Sequence, residues 1–296
     1  MTSATPDTQM LCAPQALYEL AERQHWRAHA IDLRRDREDW KRLPRAHRER
    51  LIWHIASFFV GEERVMVELS ALLAAHESPD EAAFLATQQL DEARHAQHFD
   101  RFYEHVLGLD SSFDQRLQEA RGELAPSLVT LLDDCLARVS RRLAADPSDE
   151  AAKVDFVTLY HMVVEGVLAV TGQRMLCEFL ERRGVLPGWR EGLRLIARDE
   201  YRHLAYGTWL LHRKAAKPVL RERIAAQLDE LIPLAADVLV PPGSRPRWFR
   251  PLDWTGVDAF AFAFGSLARR MKIVGIDLRA DSTVFADTME AVSAII

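Results

Sequence analysis

The three cysteines, Cys12, Cys135 and Cys177, contain no CxxC pair and cannot make an even-numbered disulfide framework. A cysteine-rich zinc site is thereby excluded, and a reduced, cytoplasmic setting is the expectation. Helix breakers are scarce: 13 Gly and 13 Pro in 296 residues, against a usual joint share of roughly 12%. With Ala, Leu, Glu and Arg abundant, helix is favoured over strand. A basic excess is missing too, since 38 Lys+Arg stand against 44 Asp+Glu for a formal charge of −6. Binding to a phosphate backbone loses its electrostatic footing, and no nucleic-acid partner is expected. No uninterrupted apolar run of about 18 residues occurs, so no membrane span is expected. The opening MTSATPDTQMLCAPQA has neither a basic nor an apolar leader region, so a secretory signal is not expected. There is no βαβ alternation and no glycine-rich phosphate loop. What remains is a chain 48% hydrophobic, enough for a packed core.

Helical periodicity fills that chain. Residues 46–76 carry Ile52, Ile55, Ala56, Phe59, Met66 and Leu69 at three- and four-residue steps, one apolar stripe. Further helices are predicted over 81–107, 114–145 with a kink or break near Pro126, 150–183, 189–213, 218–239 and 258–271. Punctuation such as Ser78-Pro79-Asp80 and Pro187-Gly188 separates them. These imply an all-α fold of one domain over 1–296: a bundle core over about 46–239 and a C-terminal extension over 240–296.

Chemistry enters with a repeat. Asp91-Glu92-Ala93-Arg94-His95 recurs as Asp199-Glu200-Tyr201-Arg202-His203, 108 residues later. Glu and His at i and i+3 share a helix face, and two such pairs with one further Glu from each of two other helices hold a metal pair in a bundle. The bare spacing is weak: 22 Glu and 11 His yield about one match by chance. Glu22-Arg23-Gln24-His25 is such a match, without a companion. The repeated flanking Asp and Arg set the other two apart.

Burial then points to the remaining carboxylates. Glu62 lies on the apolar stripe of the first helix, a position that favours it over Glu63. Glu165 interrupts VVEGVLAV. A carboxylate buried alone costs several kcal/mol, so each needs a partner or a metal. Glu62 precedes Glu92 by 30 residues and Glu165 precedes Glu200 by 35, two equivalent helix pairs. Two divalent ions would balance four glutamates. Oxidation of both ions would then call for a hydroxide and one external carboxylate. The oxygen-rich donor set without thiolate suits iron or manganese. Asp91 and Asp199 are candidates to orient the histidines across the site, with Arg94 and Arg202 either paired to them or facing solvent. His98 and His161 fit no ligand slot and are expected to be hydrogen-bonded. His54, His76, His105 and His212 carry no signal.

Over about residues 31–234 these motifs resemble the R2-like ligand-binding oxidases, relatives of the ribonucleotide reductase small subunit in the ferritin-like superfamily. The segments concerned are IDLRRDREDW, GEERV, DEARH, VVEGVLAVTG and RDEYRHLAYGT. The resemblance implies a ferritin-like four-helix bundle core with additional helices. It further implies a manganese–iron centre, or two irons: manganese at Glu62, Glu92 and His95, iron at Glu165, Glu200 and His203, Glu92 bridging. It implies O2 as co-substrate, a long-chain fatty acid or similar apolar ligand bound through its carboxylate, and a homodimer. Val65 and Tyr160 match the pair that this family joins in an ether crosslink. Spacing alone would not have found Tyr160, because five residues turn an α-helix about 140° away from Glu165.

Rival readings are a reductase small subunit or an N-oxygenase on the same scaffold, and a non-catalytic metal- or lipid-binding bundle. Phe99 stands where many reductase subunits have a radical Tyr. Trp40 resembles a Trp of the reductase radical path, yet the last tyrosine is Tyr206, leaving no tail tyrosine to receive an electron.

Overall fold

The structure is a computed structural model that describes residues 11–240, 250–278 and 282–294. All regular structure among them is helical. The helices are α1 (Pro14–Arg23), α2 (Arg34–Arg42), α3 (Arg45–Ala74) and α4 (Pro79–Phe102, prolonged by a π-helical turn Tyr103–Leu107). After α5 (Phe113–Arg121), α6 runs through Pro126–Val129, a π-helical stretch Thr130–Leu136 and Ala137–Ala145. Then come α7 (Glu150–Arg183), α8 (Pro187–Lys214), α9 (Pro218–Leu239), α10 (Gly256–Val274) and α11 (Thr283–Ala294).

Local chemistry sets the starts. Ser78 Oγ accepts from Glu81 N at 3.2 Å with Pro79 in the first turn, opening α4. Asp149 caps α7 through Ala152 N at 2.9 Å. The helix expected over 114–145 is broken in two, because Pro126 cannot continue α5 and instead starts α6. Two helices, α1 and α2, stand where none was predicted; they pack on α4 and α8.

The four helices α3, α4, α7 and α8 form the bundle, α3 packing on α4 and α7 on α8. Their apolar faces meet in one core that includes Phe59, Phe84, Phe156 and Leu211. Helix α7 is long and apolar enough by composition to cross a membrane, with mean hydropathy 1.4, although no uninterrupted apolar run exists; 83% of that window is buried inside the protein. It is the central core helix.

Two close approaches set the interior. Gly207 lets α8 press onto α7: a Cβ there would stand 2.5 Å from His161 Cβ. Gly172 admits the Phe58 ring, at 2.9 Å from where its Cβ would be. With Lys153 at the start of α7 reaching Ala75 O at the end of α3, this second contact shows that α7 runs antiparallel to α3.

At one end of the bundle a buried polar knot ties all four helices. Lys153 Nζ of α7 donates to Ala75 O at 2.9 Å and to Glu81 Oε1 at 2.8 Å. Tyr206 of α8 donates to the same oxygen at 2.6 Å.

Candidate metal centre

Midway along the bundle the six side chains singled out in the sequence converge. Glu62 comes from α3, Glu92 and His95 from α4, Glu165 from α7, Glu200 and His203 from α8; none is more than 6% exposed. Donor atoms of Glu62, Glu92, His95 and Glu200 all lie within 4.8 Å of one another, as do those of Glu92, Glu165 and His203. Glu92 belongs to both groups. Its Oε2 is 3.2 Å from His95 Nδ1 and its Oε1 is 3.1 Å from His203 Nδ1. Glu200 stands nearly midway, 3.7 Å from His95 Nδ1 by one oxygen and 3.8 Å from His203 Nδ1 by the other. The structure thus groups Glu200 with Glu62 and His95, whereas the family resemblance implied it at the site of Glu165 and His203.

The outward ring nitrogens are held crosswise. His95 of α4 meets Asp199 of α8 at 3.3 Å, and His203 of α8 meets Asp91 of α4 at 3.3 Å. Such contacts turn each Nδ1 toward the cluster. Arg202, buried, donates to both aspartates at 2.8 Å, and Arg94 donates to Asp91 at 2.5 Å. Both arginines therefore pair with these aspartates. Hydrogen bonds from His95 and Trp26, with the charge of Arg202, overcome burial and hold Asp199 well below the usual carboxylate range.

Trp26 is a residue the sequence did not offer: its indole N–H donates to Asp199 Oδ2 at 2.6 Å. Trp40 packs edge-on to Phe102 with 5.5 Å between ring centres. Nothing in periodicity marks Trp26, which precedes the bundle. His25 is exposed, as befits a chance match. His98 is buried and stacks on Trp189 at 4.9 Å, but neither of its ring nitrogens has a hydrogen-bond partner among the described residues, contrary to expectation. His161 does have one, Gln88.

Tyr160 is brought to the cluster by an irregularity. Residues Thr158–Ala169 of α7 are π-helical, so each hydrogen bond spans five residues and i and i+5 come to nearly one side. The 140° separation reckoned for an α-helix does not apply. Tyr160 OH donates to Glu92 Oε1 at 2.6 Å and accepts from Gln88 Nε2 at 3.1 Å. Arg270 of α10 donates to Gly166 O inside the π segment at 3.0 Å, beside Glu165.

Burial pushes Glu165 up to about 8, with the Glu200 charge adding to it, and raises Glu62 and Glu200 as well. For Glu92 burial is outweighed by His203 and His95, which hold it low. Both histidines are raised, their burial outweighed chiefly by Glu62 at His95 and Glu165 at His203. Glu165 Oε2 and Glu200 Oε2 are buried with no hydrogen-bond partner among the described residues. Four carboxylates, two oriented imidazoles and stranded acceptor oxygens fit hard or borderline divalent ions. None of the three cysteines joins either group. Metal binding requires ionised carboxylates and neutral imidazoles, so it must displace protons from the raised groups. Calorimetry near neutral pH in buffers of different ionisation enthalpy should therefore report net proton release. Affinity should climb as pH rises toward about 8, through the range in which Glu165 ionises. Heats independent of buffer would contradict this assignment.

The cluster borders an apolar cavity of about 90 Å³. Val65, Tyr160 and all four glutamates line it.

The family model of the ribonucleotide reductase small chain matches residues 14–238. Among solved structures, an R2-like ligand-binding oxidase with an aerobically reconstituted Mn/Fe cofactor is 25% identical, over 91% of this chain and 94% of that one, at TM-score 0.78. A mutant R2-like ligand-binding oxidase with an aerobically reconstituted Fe/Fe cofactor is 24% identical, over 90% and 94%, at TM-score 0.78. An R2-like ligand-binding oxidase from Sulfolobus acidocaldarius is 24% identical, over 93% of both chains, at TM-score 0.74. The last two show the shared fold.

Proposed function

This chain belongs to the ribonucleotide reductase small-chain family, and from that premise we propose that it is a di-metal oxidase which uses O2 to oxidise a C–H bond of an apolar carboxylic acid or of its own Val65. The observation that carries the reading is a buried cluster of four glutamates and two histidines, the glutamates lining an apolar cavity. Glu62, Glu92, His95 and Glu200 would hold one ion, and Glu92, Glu165 and His203 the other. Following the 25% identical Mn/Fe relative, the pair is manganese and iron, with two irons as the alternative. When bound, the pair supplies two of the four electrons that take O2 to the level of water, and the oxidising power for hydrogen removal.

The chain's own residues do the rest. The apolar walls exclude water and guide an alkyl chain, for which a long-chain fatty acid is the proposed ligand, with its carboxylate at the cluster. Asp91 and Asp199 fix the imidazoles, and Arg202 fixes the aspartates. Tyr160 keeps its proton, since burial and the surrounding glutamates raise its phenol well above the ordinary value. Its hydroxyl, aimed at Glu92, can pass that proton to the carboxylate as it is oxidised. Val65 shares the cavity wall with Tyr160. Removal of the Val65 Cβ hydrogen and the Tyr160 hydroxyl hydrogen releases two protons and two electrons to O2 and leaves a Cβ–O ether. Anaerobic loading with both metals, then air, should give a peptide joining the regions of Val65 and Tyr160, lighter by two hydrogens. Full metal occupancy and O2 uptake with no such peptide would reject the crosslink.

The run Trp26–Asp199–His95 supports a second reading, one-electron traffic as in a reductase subunit. Tight binding to a reductase large subunit would favour it.

A further inference from the structure

Away from the cluster, the cavity is lined by a polar group that has no hydrogen-bond partner among the described residues. On α3 the lining residues run from Trp53 to Val65, roughly 18 Å at the helical rise. Glu62 marks the metal end. His54, eight residues earlier, lies about 12 Å away along the axis. Its ring is buried and lines the cavity, and Nε2 has no hydrogen-bond partner among the described residues. The Trp53 ring stands edge-on to the imidazole at 4.7 Å and fixes its plane. The nearby hydroxyls do not compete for it: Ser57 donates to Trp53 O and Thr171 to Val167 O.

An unsatisfied imidazole at this depth is costly when an all-carbon chain covers it, because the nitrogen then loses water and gains nothing. We infer that the preferred occupant is an acyl chain carrying an uncharged oxygen function, a hydroxyl or keto group, about 12 Å from its carboxylate and hydrogen-bonded to His54. Charge selects the class. Burial, reinforced by the Arg50 guanidinium one turn before, pushes His54 down to about 3, so at neutral pH it is uncharged. The ring itself offers a second carboxylate no counter-charge, whereas a hydroxyl or keto group matches a neutral ring.

This inference rests on reading the cavity as an acyl-chain site, and the test separates the two. Metal-loaded protein is titrated calorimetrically with saturated acids from decanoic to tetradecanoic and with their ω-hydroxy counterparts. At one chain length the hydroxy acid should bind about tenfold more tightly than its partner. In His54→Leu that preference should vanish or reverse, with the plain acid bound more tightly than by the wild type. Equal binding of every pair by the wild type would overturn the inference and leave the acyl-chain site standing, and this comparison needs no variant to fold. A preference that persists in His54→Leu would also overturn it. Failure of both series to bind would overturn the acyl-chain reading itself.

Discussion

Glu92→Ala should lose both metals, while Glu62→Ala should lose one. Glu92 alone contributes donor atoms to both groups, one oxygen 3.2 Å from His95 and the other 3.1 Å from His203. Removing a partner that merely orients a ligand weakens metal binding about 10- to 100-fold, so removing a ligand common to two ions should weaken both by at least about 100-fold. Metal content after desalting should therefore read two per chain in the wild type, one in Glu62→Ala and none in Glu92→Ala. Circular dichroism would establish that the helices remain. Two retained ions in Glu92→Ala would remove Glu92 from its shared position.

Lys153→Met should be the most damaging substitution away from the metals. Lys153 is 2% exposed and Glu81 is 1% exposed; their contact at 2.8 Å is reinforced by Tyr206 on the same oxygen. Breaking a buried pair from one side strands the other charge, at a cost of about 3–5 kcal/mol. Denaturant titration of the metal-free protein should show that loss. Lys153→Met combined with Glu81→Gln should recover much of it, since no ionised carboxylate is left behind. A single variant as stable as the wild type would show that the knot does not hold the four helices in register.

How far the sequence reveals this molecule depends on which physical signal each residue leaves. The all-α fold is legible because breakers are few and the apolar stripes repeat at helical spacing. The six clustered side chains are legible because acidic residues on apolar stripes demand an explanation, and the repeated Asp-Glu-x-Arg-His supplies one. The aspartate crossing was expected, and the structure places Asp91 and Asp199 on opposite histidines. Tyr160 was reached only by resemblance, because a π-helical segment changes the period on which any facing argument rests. Trp26 and Trp40 look alike in sequence; only packing decides which indole reaches Asp199. His54 left no trace, since an unsatisfied nitrogen is visible only once its neighbours are known. Helix α7 is apolar enough by composition to cross a membrane, yet 83% of that window is buried inside the protein, which no count of uninterrupted apolar residues reveals.

Anomalous diffraction at the manganese and iron edges, from crystals of metal-loaded protein, puts the central claim to its most direct test. Two peaks should lie within the bundle, one among Glu62, Glu92 and His95 and the other among Glu92, Glu165 and His203. A single peak, or metal bound anywhere else with this cluster empty, would contradict the account.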